Sequence, residues 1–211
     1  METIVASSAA AVPPRGAPVD AALRARLAAV IDDGGRIWER FDREVRRKGF
    51  HPFVPADYGR VLEGLLAVRA PGRRFLEWGS ATGVITILAD LLGFEAYGIE
   101  LDPRLVELAR ELAARHGSAA RFAAGSLFPA GYHYRDSTGD PRTGTLGDGE
   151  SAYRRLGHPL HEFDVVYGYP WDGEEPVMRD LMRRHGGRGA RLLLLDGIAG
   201  VRVFHGDVAE R

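Results

Sequence analysis

The sequence predicts an α/β fold, a doubly wound and mostly parallel sheet, preceded by a segment that is helical throughout. Three observations predict it. Up to Pro71-Gly72, apolar residues recur at helical spacing. Beyond that point short apolar runs alternate with amphipathic helical stretches, the order that sets parallel strands under crossover helices. The first of those runs, Phe75-Leu76-Glu77-Trp78, leads directly into a turn of small residues and a helix start.

The elements follow in order. Residues 1–18 are rich in Ala, Ser and Pro and offer too little apolar surface to offset the cost of ordering, so a disordered tail is expected. Residues 19–70 are expected to form a helical lid segment. Leu23, Leu27, Val30 and Ile31 mark one helix, which Asp33-Gly34-Gly35 is expected to break. Ile37, Trp38, Phe41 and Val45 mark a second. After the loop His51-Pro52-Phe53-Val54-Pro55, Asp57 caps a third helix through Val61, Leu62, Leu65 and Leu66. The α/β domain then occupies 71–211. Its strands are Arg74–Trp78, Ala96–Glu100, Arg121–Ala123, Phe163–Tyr167 and Arg191–Leu195, with helices over Val84–Leu92 and from Asp102-Pro103 onward. Val201–Phe204 is one remaining strand of a shortened C-terminal end. Residues 129–157 show no periodicity, and a long mobile loop is expected there.

Composition excludes several function classes. The 211 residues suit one domain plus an extra segment. With 28 Lys+Arg against 29 Asp+Glu, no whole-protein attraction to nucleic acid or to an anionic membrane follows. The chain has no cysteine, so disulfides, thiolate catalysis and cysteine metal sites are excluded. No apolar run is long enough to span a bilayer. The N-terminus lacks a basic region before its apolar patch and carries Glu2, so the expected location is cytoplasmic. His158, His161 and Glu162 invite a metal reading, but Pro159 spoils a helix there and no further ligand is placed by spacing; no metal is expected. The Arg-rich stretch Arg36–Lys48 is interrupted by Glu39, Asp42 and Glu44 at pairing distance, the mark of a solvated face; a nucleic-acid partner is not expected.

The sharpest motif is Glu77-Trp78-Gly79-Ser80-Ala81-Thr82-Gly83. Small residues let the backbone approach a ligand closely. Glu100, at the end of the second strand, can accept two hydrogen bonds from a ribose diol. The spacing differs from the dinucleotide fingerprint, and a carboxylate just before the first Gly would repel a pyrophosphate. It suits a cationic ligand with an amino group instead. Those requirements describe S-adenosylmethionine, which carries a sulfonium, an ammonium and a ribose, and no phosphate.

On these residues the chain from about Arg73 to Leu195 resembles the class I S-adenosylmethionine-dependent methyltransferases. The resemblance implies a Rossmann-like sheet ending in a reversed hairpin, and S-adenosylmethionine as cofactor. Glu77, Gly79, Ser80, Ala81, Thr82 and Gly83 match the family's first motif, with Ala81 in place of its middle Gly. Glu100 and the adjacent Leu101 match the ribose-binding position. Ser126 and Leu127 fall in the adenine loop, Ser126 replacing the usual Asp. Tyr58 and Phe53, from the segment before the first motif, are expected to cover the cofactor and line the acceptor side.

The fourth motif falls at Tyr169-Pro170-Trp171, without the Asn or Asp common in amine-modifying members. Tyr169 could position a nucleophile through its hydroxyl, and Trp171 could stack on a flat or cationic substrate. Asp172 is a candidate general base beside Tyr169, and Glu174 could hold a cationic substrate. Asp172 and Glu174 can equally cap the helix that follows. The expected activity is methyl transfer to an O or N atom of a small-molecule acceptor. The alternatives are a protein or nucleic-acid methyltransferase, or a protein that binds S-adenosylmethionine without catalysis.

Overall fold

A computed structural model describes residues 19–46, 54–133, 145–147, 149–171, 173–205 and 208–209. The tail expected at 1–18, Phe53 and Asp172 all lie outside the described residues.

The chain opens with α1, Ala21–Arg46, which runs unbroken through the Gly pair expected to end it. Asp20 Oδ1 accepts from the Leu23 N–H at 2.7 Å and starts the helix. Leu27, Val30 and Ile37 form one buried stripe across the Gly pair. A Cβ on Gly34 would sit 2.3 Å from Val84 Cγ2, so Gly34 is where α1 presses closest on the next layer. That packing outweighs a helical cost of about 1 kcal/mol per Gly. Helix α2, Tyr58–Ala67, is capped by Asp57, as expected, through the Arg60 N–H at 3.1 Å.

The α/β part continues with β1 (Arg74–Trp78), α3 (Val84–Leu91), β2 (Glu95–Glu100), α4 (Pro103–Arg115), β3 (Arg121–Ala124), α5 (Tyr153–Leu156), β4 (Val165–Gly168), α6 (Glu175–His185), β5 (Arg191–Asp196), β6 (Gly200–His205) and β7 (Val208–Ala209). The sheet order is β3-β2-β1-β4-β5-β6-β7. Strands β1 to β5 are parallel; β6 and β7 are antiparallel. Thus the expected single last strand is two, and β6 is as long as β5.

Strand alternation divides the core. Phe75, Val165, Tyr167 and Leu193 face α1 to α4, while Leu76, Trp78, Val166 and Leu192 face α5 and α6. Helices on both faces make the sheet doubly wound, as the sequence predicts. Helices α1 and α2 share one apolar core with β1 and α3, and among the described residues of 19–70 Val54, Pro55, Ala56 and Tyr58 border the site. Within 129–157, the described residues 149–157 include a short helix that composition does not mark. Tyr153 and Leu156 are buried, and the Tyr153 hydroxyl accepts from Trp78 Nε1 at 3.0 Å. One hydrogen bond to the first strand and a buried aromatic hold α5 where no periodicity marks it. Among the described residues no helix is long and apolar enough to cross a membrane.

Candidate cofactor and acceptor site

Strand order reverses between β1 and β4, and open α/β sheets bind ligands at the carboxyl ends of the strands beside such a reversal. A pocket lies there, lined from β1 and its turn by Glu77, Gly79, Ser80, Ala81 and Thr82, from α3 by Val84 and Ile85, from β4 and the residue after it by Tyr167 and Tyr169, and from α2 and the chain before it by Val54 to Ala56 and Tyr58.

The turn after β1 has the conformation its residues allow. Gly79, Ala81 and Gly83 have φ of 70°, 45° and 77°, and Ala81 is the one described non-Gly residue with positive φ. A left-handed Ala costs roughly 1–2 kcal/mol, strain of the kind that clusters at binding sites. Glu100 holds the strained residue: its Oε2 accepts from the Ala81 N–H at 2.8 Å and its Oε1 from the Asp102 N–H at 3.0 Å. Burial pushes the Glu100 carboxyl above the usual carboxylate range.

Glu77 has two tasks. Its Oε2 accepts from the Thr86 N–H at 2.8 Å and from Thr86 Oγ1. This satisfies an N–H of the first turn of α3, which Gly83 as N-cap has no side chain to reach. Both of these bonds end on Oε2, and Glu77 is one of the residues that line the pocket. Burial, aided by the Glu100 charge, pushes the Glu77 carboxyl up to about 8. A buried carboxyl group in a pocket lining favours a cation there.

The chain at 145–147 crosses the site from the other side. Thr145 Oγ1 donates to the Tyr169 carbonyl at 3.0 Å, and a Cβ on Gly79 would meet Thr145 Cγ2 at 2.6 Å. Ser126 Oγ donates to the Gly147 carbonyl at 2.7 Å, and Leu101 packs on Gly147. Glu174 fastens this strap: Oε1 accepts from the Thr145 and Leu146 N–H groups at 2.8 and 3.0 Å, and Oε2 from the Trp171 N–H at 3.0 Å.

The structure therefore sorts the expected residues. Tyr58, Glu77, Gly79, Ser80, Ala81, Thr82 and Tyr169 line one pocket, with Gly83 and Glu100 shaping its turn. Four others are placed outside this lining. Glu174 is buried and bonds three backbone N–H groups, so it holds loops. Trp171 stands 37% exposed outside the lining. Leu127 is packed in the core on the opposite face of the sheet from Glu77. The Ser126 hydroxyl is bound to Gly147, not open toward an adenine. Sequence reasoning missed Tyr167 and Thr145. Tyr167 could have been found only through the sheet register, which pairs it with Glu77 on the neighbouring strand; Thr145 lies in a stretch without periodicity.

Sequence comparison adds an independent observation. The chain is 38% identical over 67 residues to the ribosomal protein L11 methyltransferase of Thermus thermophilus, covering 32% of this chain and 26% of that protein. It is 41% identical over 76 residues to the Pseudomonas aeruginosa counterpart, 35% of this chain and 24% of that one. Over these segments the chain is similar to proteins named as methyltransferases. The chain spans about a quarter of the length of these curated relatives. No family model matches. Among solved structures, an RNA methyltransferase from Salinibacter ruber in complex with S-adenosyl-L-homocysteine superposes with a TM-score of 0.48 at 23% identity, over 67% of this chain and 76% of that one. A tRNA (uracil-54, C5)-methyltransferase from Pyrococcus abyssi gives 0.43 at 15% identity, over 69% and 30%.

Proposed function

We propose that this protein is an S-adenosylmethionine-dependent methyltransferase that acts on an O or N atom of a small-molecule acceptor. The observation that carries the reading is the convergence of the Glu77 carboxylate, the positive-φ turn and Glu100 at the reversal of strand order. Buried Glu77 and half-buried Glu100, with no Lys, Arg or His among the described lining residues, suit a ligand with an ammonium and a ribose and repel a pyrophosphate.

When bound, S-adenosylmethionine supplies a methyl group already activated by its sulfonium. The protein's work is then positioning and exclusion of water. Glu77 would hold the amino group and Glu100 the ribose hydroxyls. Tyr169, half-buried in the lining, would orient the acceptor through its hydroxyl. Val54, Pro55 and Tyr58 wall the pocket from the helical side. The small lining, without basic side chains among the described residues, favours a small, uncharged or cationic acceptor.

A protein acceptor is the second reading, favoured by the match to methyltransferases named for a ribosomal protein. Transfer of labelled methyl groups into a cell extract separates the two. Label in the small-molecule fraction supports the proposal. Label in protein or RNA alone overturns the acceptor class, and no label together with no S-adenosylhomocysteine binding overturns the activity.

A further inference from the structure

The chain at 145–147 does more than tie two loops together, because of what it touches. Thr145 lies against Gly79 after β1, and Gly147 against Leu101 after β2. The Gly147 carbonyl accepts from Ser126 Oγ, after β3, at 2.7 Å. Thr145 Oγ1 donates to the Tyr169 carbonyl, after β4, at 3.0 Å. Three consecutive residues thus cross the carboxyl ends of four neighbouring parallel strands. Ligands of open α/β sheets bind in that crevice.

The strap is close-packed on what lies beneath it. A Cβ added to Gly79 would come within 2.6 Å of Thr145 Cγ2, and one on Gly147 within 2.4 Å of Leu101 Cδ1. Carbon atoms in contact need about 3.5–4.0 Å. Where one carbon does not fit, a ribose or a nucleobase does not fit either. Polar bonds keep the strap down: besides those to Tyr169 and Ser126, the Thr145 and Leu146 N–H groups donate to Glu174 Oε1 at 2.8 and 3.0 Å.

Glu77 in the pocket and Glu100 at the end of β2 set the direction of the proposed cofactor. A ligand with its ammonium at Glu77 and its ribose at Glu100 passes over the Gly79 turn to the end of β2, where Leu101 follows. The strap lies across that path.

We propose that residues 145–147 are an autoinhibitory strap, which the adenosine half of the cofactor must lift from Gly79 and Leu101 in order to bind. The inference rests on the cofactor reading above. Strapped and lifted forms then compete, and apparent affinity falls in proportion to the fraction of molecules with the strap lifted. Loosening the strap raises affinity.

Hydrogen exchange of the full chain, with and without S-adenosylhomocysteine, reads the direction of movement. Lifting frees the Thr145 and Leu146 N–H groups from Glu174, so exchange at 145–147 should speed up at least about tenfold on binding, while the turn at 79–83 slows. A lid that closed over the ligand would slow both. Thr145→Ala removes the methyl against Gly79 and the hydroxyl bond to Tyr169. In calorimetric titration it should bind S-adenosylhomocysteine about three- to tenfold more tightly than wild type, the size of one lost hydrogen bond between neutral groups. The exchange measurement uses wild-type protein and decides the matter if the variant folds poorly. Slower or unchanged exchange at 145–147, or equal or weaker binding by folded Thr145→Ala, would overturn the proposal. Failure of wild type and variant alike to bind S-adenosylhomocysteine would instead overturn the cofactor reading.

Discussion

The two sides of the pocket are built by different means. The side at β1 and β2 is made of strand ends and short turns, where Glu77, Gly79 to Gly83 and Glu100 lie within a few residues of hydrogen-bonded sheet. The side at β4 is made of two loops, 145–147 and 169–174, tied by the side chains of Glu174 and Thr145. Regular elements fix the first side many times over. The second depends on a few polar contacts, so single substitutions there should disturb more structure and less binding chemistry.

The largest effect expected from this contrast is on the strand-built side. Glu100→Ala should abolish most of the stabilisation that S-adenosylhomocysteine gives, because it removes both the proposed ribose acceptor and the carboxylate that holds the Ala81 and Asp102 N–H groups. A thermal shift titration reads this directly; a retained shift would break the comparison.

Next comes Glu77, through its pH dependence. Its carboxyl is raised in the folded protein to about 8, so the ligand-free folded state holds a proton that the unfolded chain releases. That proton makes ligand-free stability fall as pH rises from the ordinary carboxylate range through about 8, and Glu77→Gln should remove this fall. Binding of an ammonium requires the ionised form, so S-adenosylhomocysteine affinity should rise between pH 6 and 8, by up to about tenfold per unit. Glu77→Gln should bind weakly with a flat profile. Calorimetry in buffers of different ionisation enthalpy would detect the released proton.

On the loop-built side, Glu174→Gln leaves the Trp171 N–H or the strap N–H groups without an acceptor. A loss of about 1–3 kcal/mol in urea denaturation is expected. An unchanged midpoint would show that the strap is held otherwise. The smallest effect is at Ala81, where Gly would relieve the positive φ and add about 1 kcal/mol of stability with the cofactor turn intact.

The same contrast explains what the sequence made legible. The turn from Glu77 to Gly83 and the carboxylate at Glu100 were readable because local chemistry dictates them: small residues for close approach, an acid at a strand end. The strands were readable because alternating runs are short-range signals. Three things were not. The unbroken α1 depends on Gly34 meeting Val84, a contact across the fold. The role of Glu174 depends on loop backbone from a stretch without periodicity, and a helix-start acid looks the same whether it caps or clamps. Tyr167 gains meaning only from its register with Glu77. Each is set by contacts distant in sequence, which neither spacing nor composition records.

The central claim is that this turn and its two carboxylates hold S-adenosylmethionine. Its most direct test is thermal unfolding of the full chain with S-adenosylmethionine, S-adenosylhomocysteine, NAD or ATP, beside Glu100→Ala. Either sulfur ligand at about 100 times its dissociation constant should add roughly 2.7 kcal/mol, on the order of 5–10 °C for a domain of this size. That shift should disappear in Glu100→Ala, with NAD and ATP inert. A shift with NAD or ATP, and none with either sulfur ligand, would contradict the account.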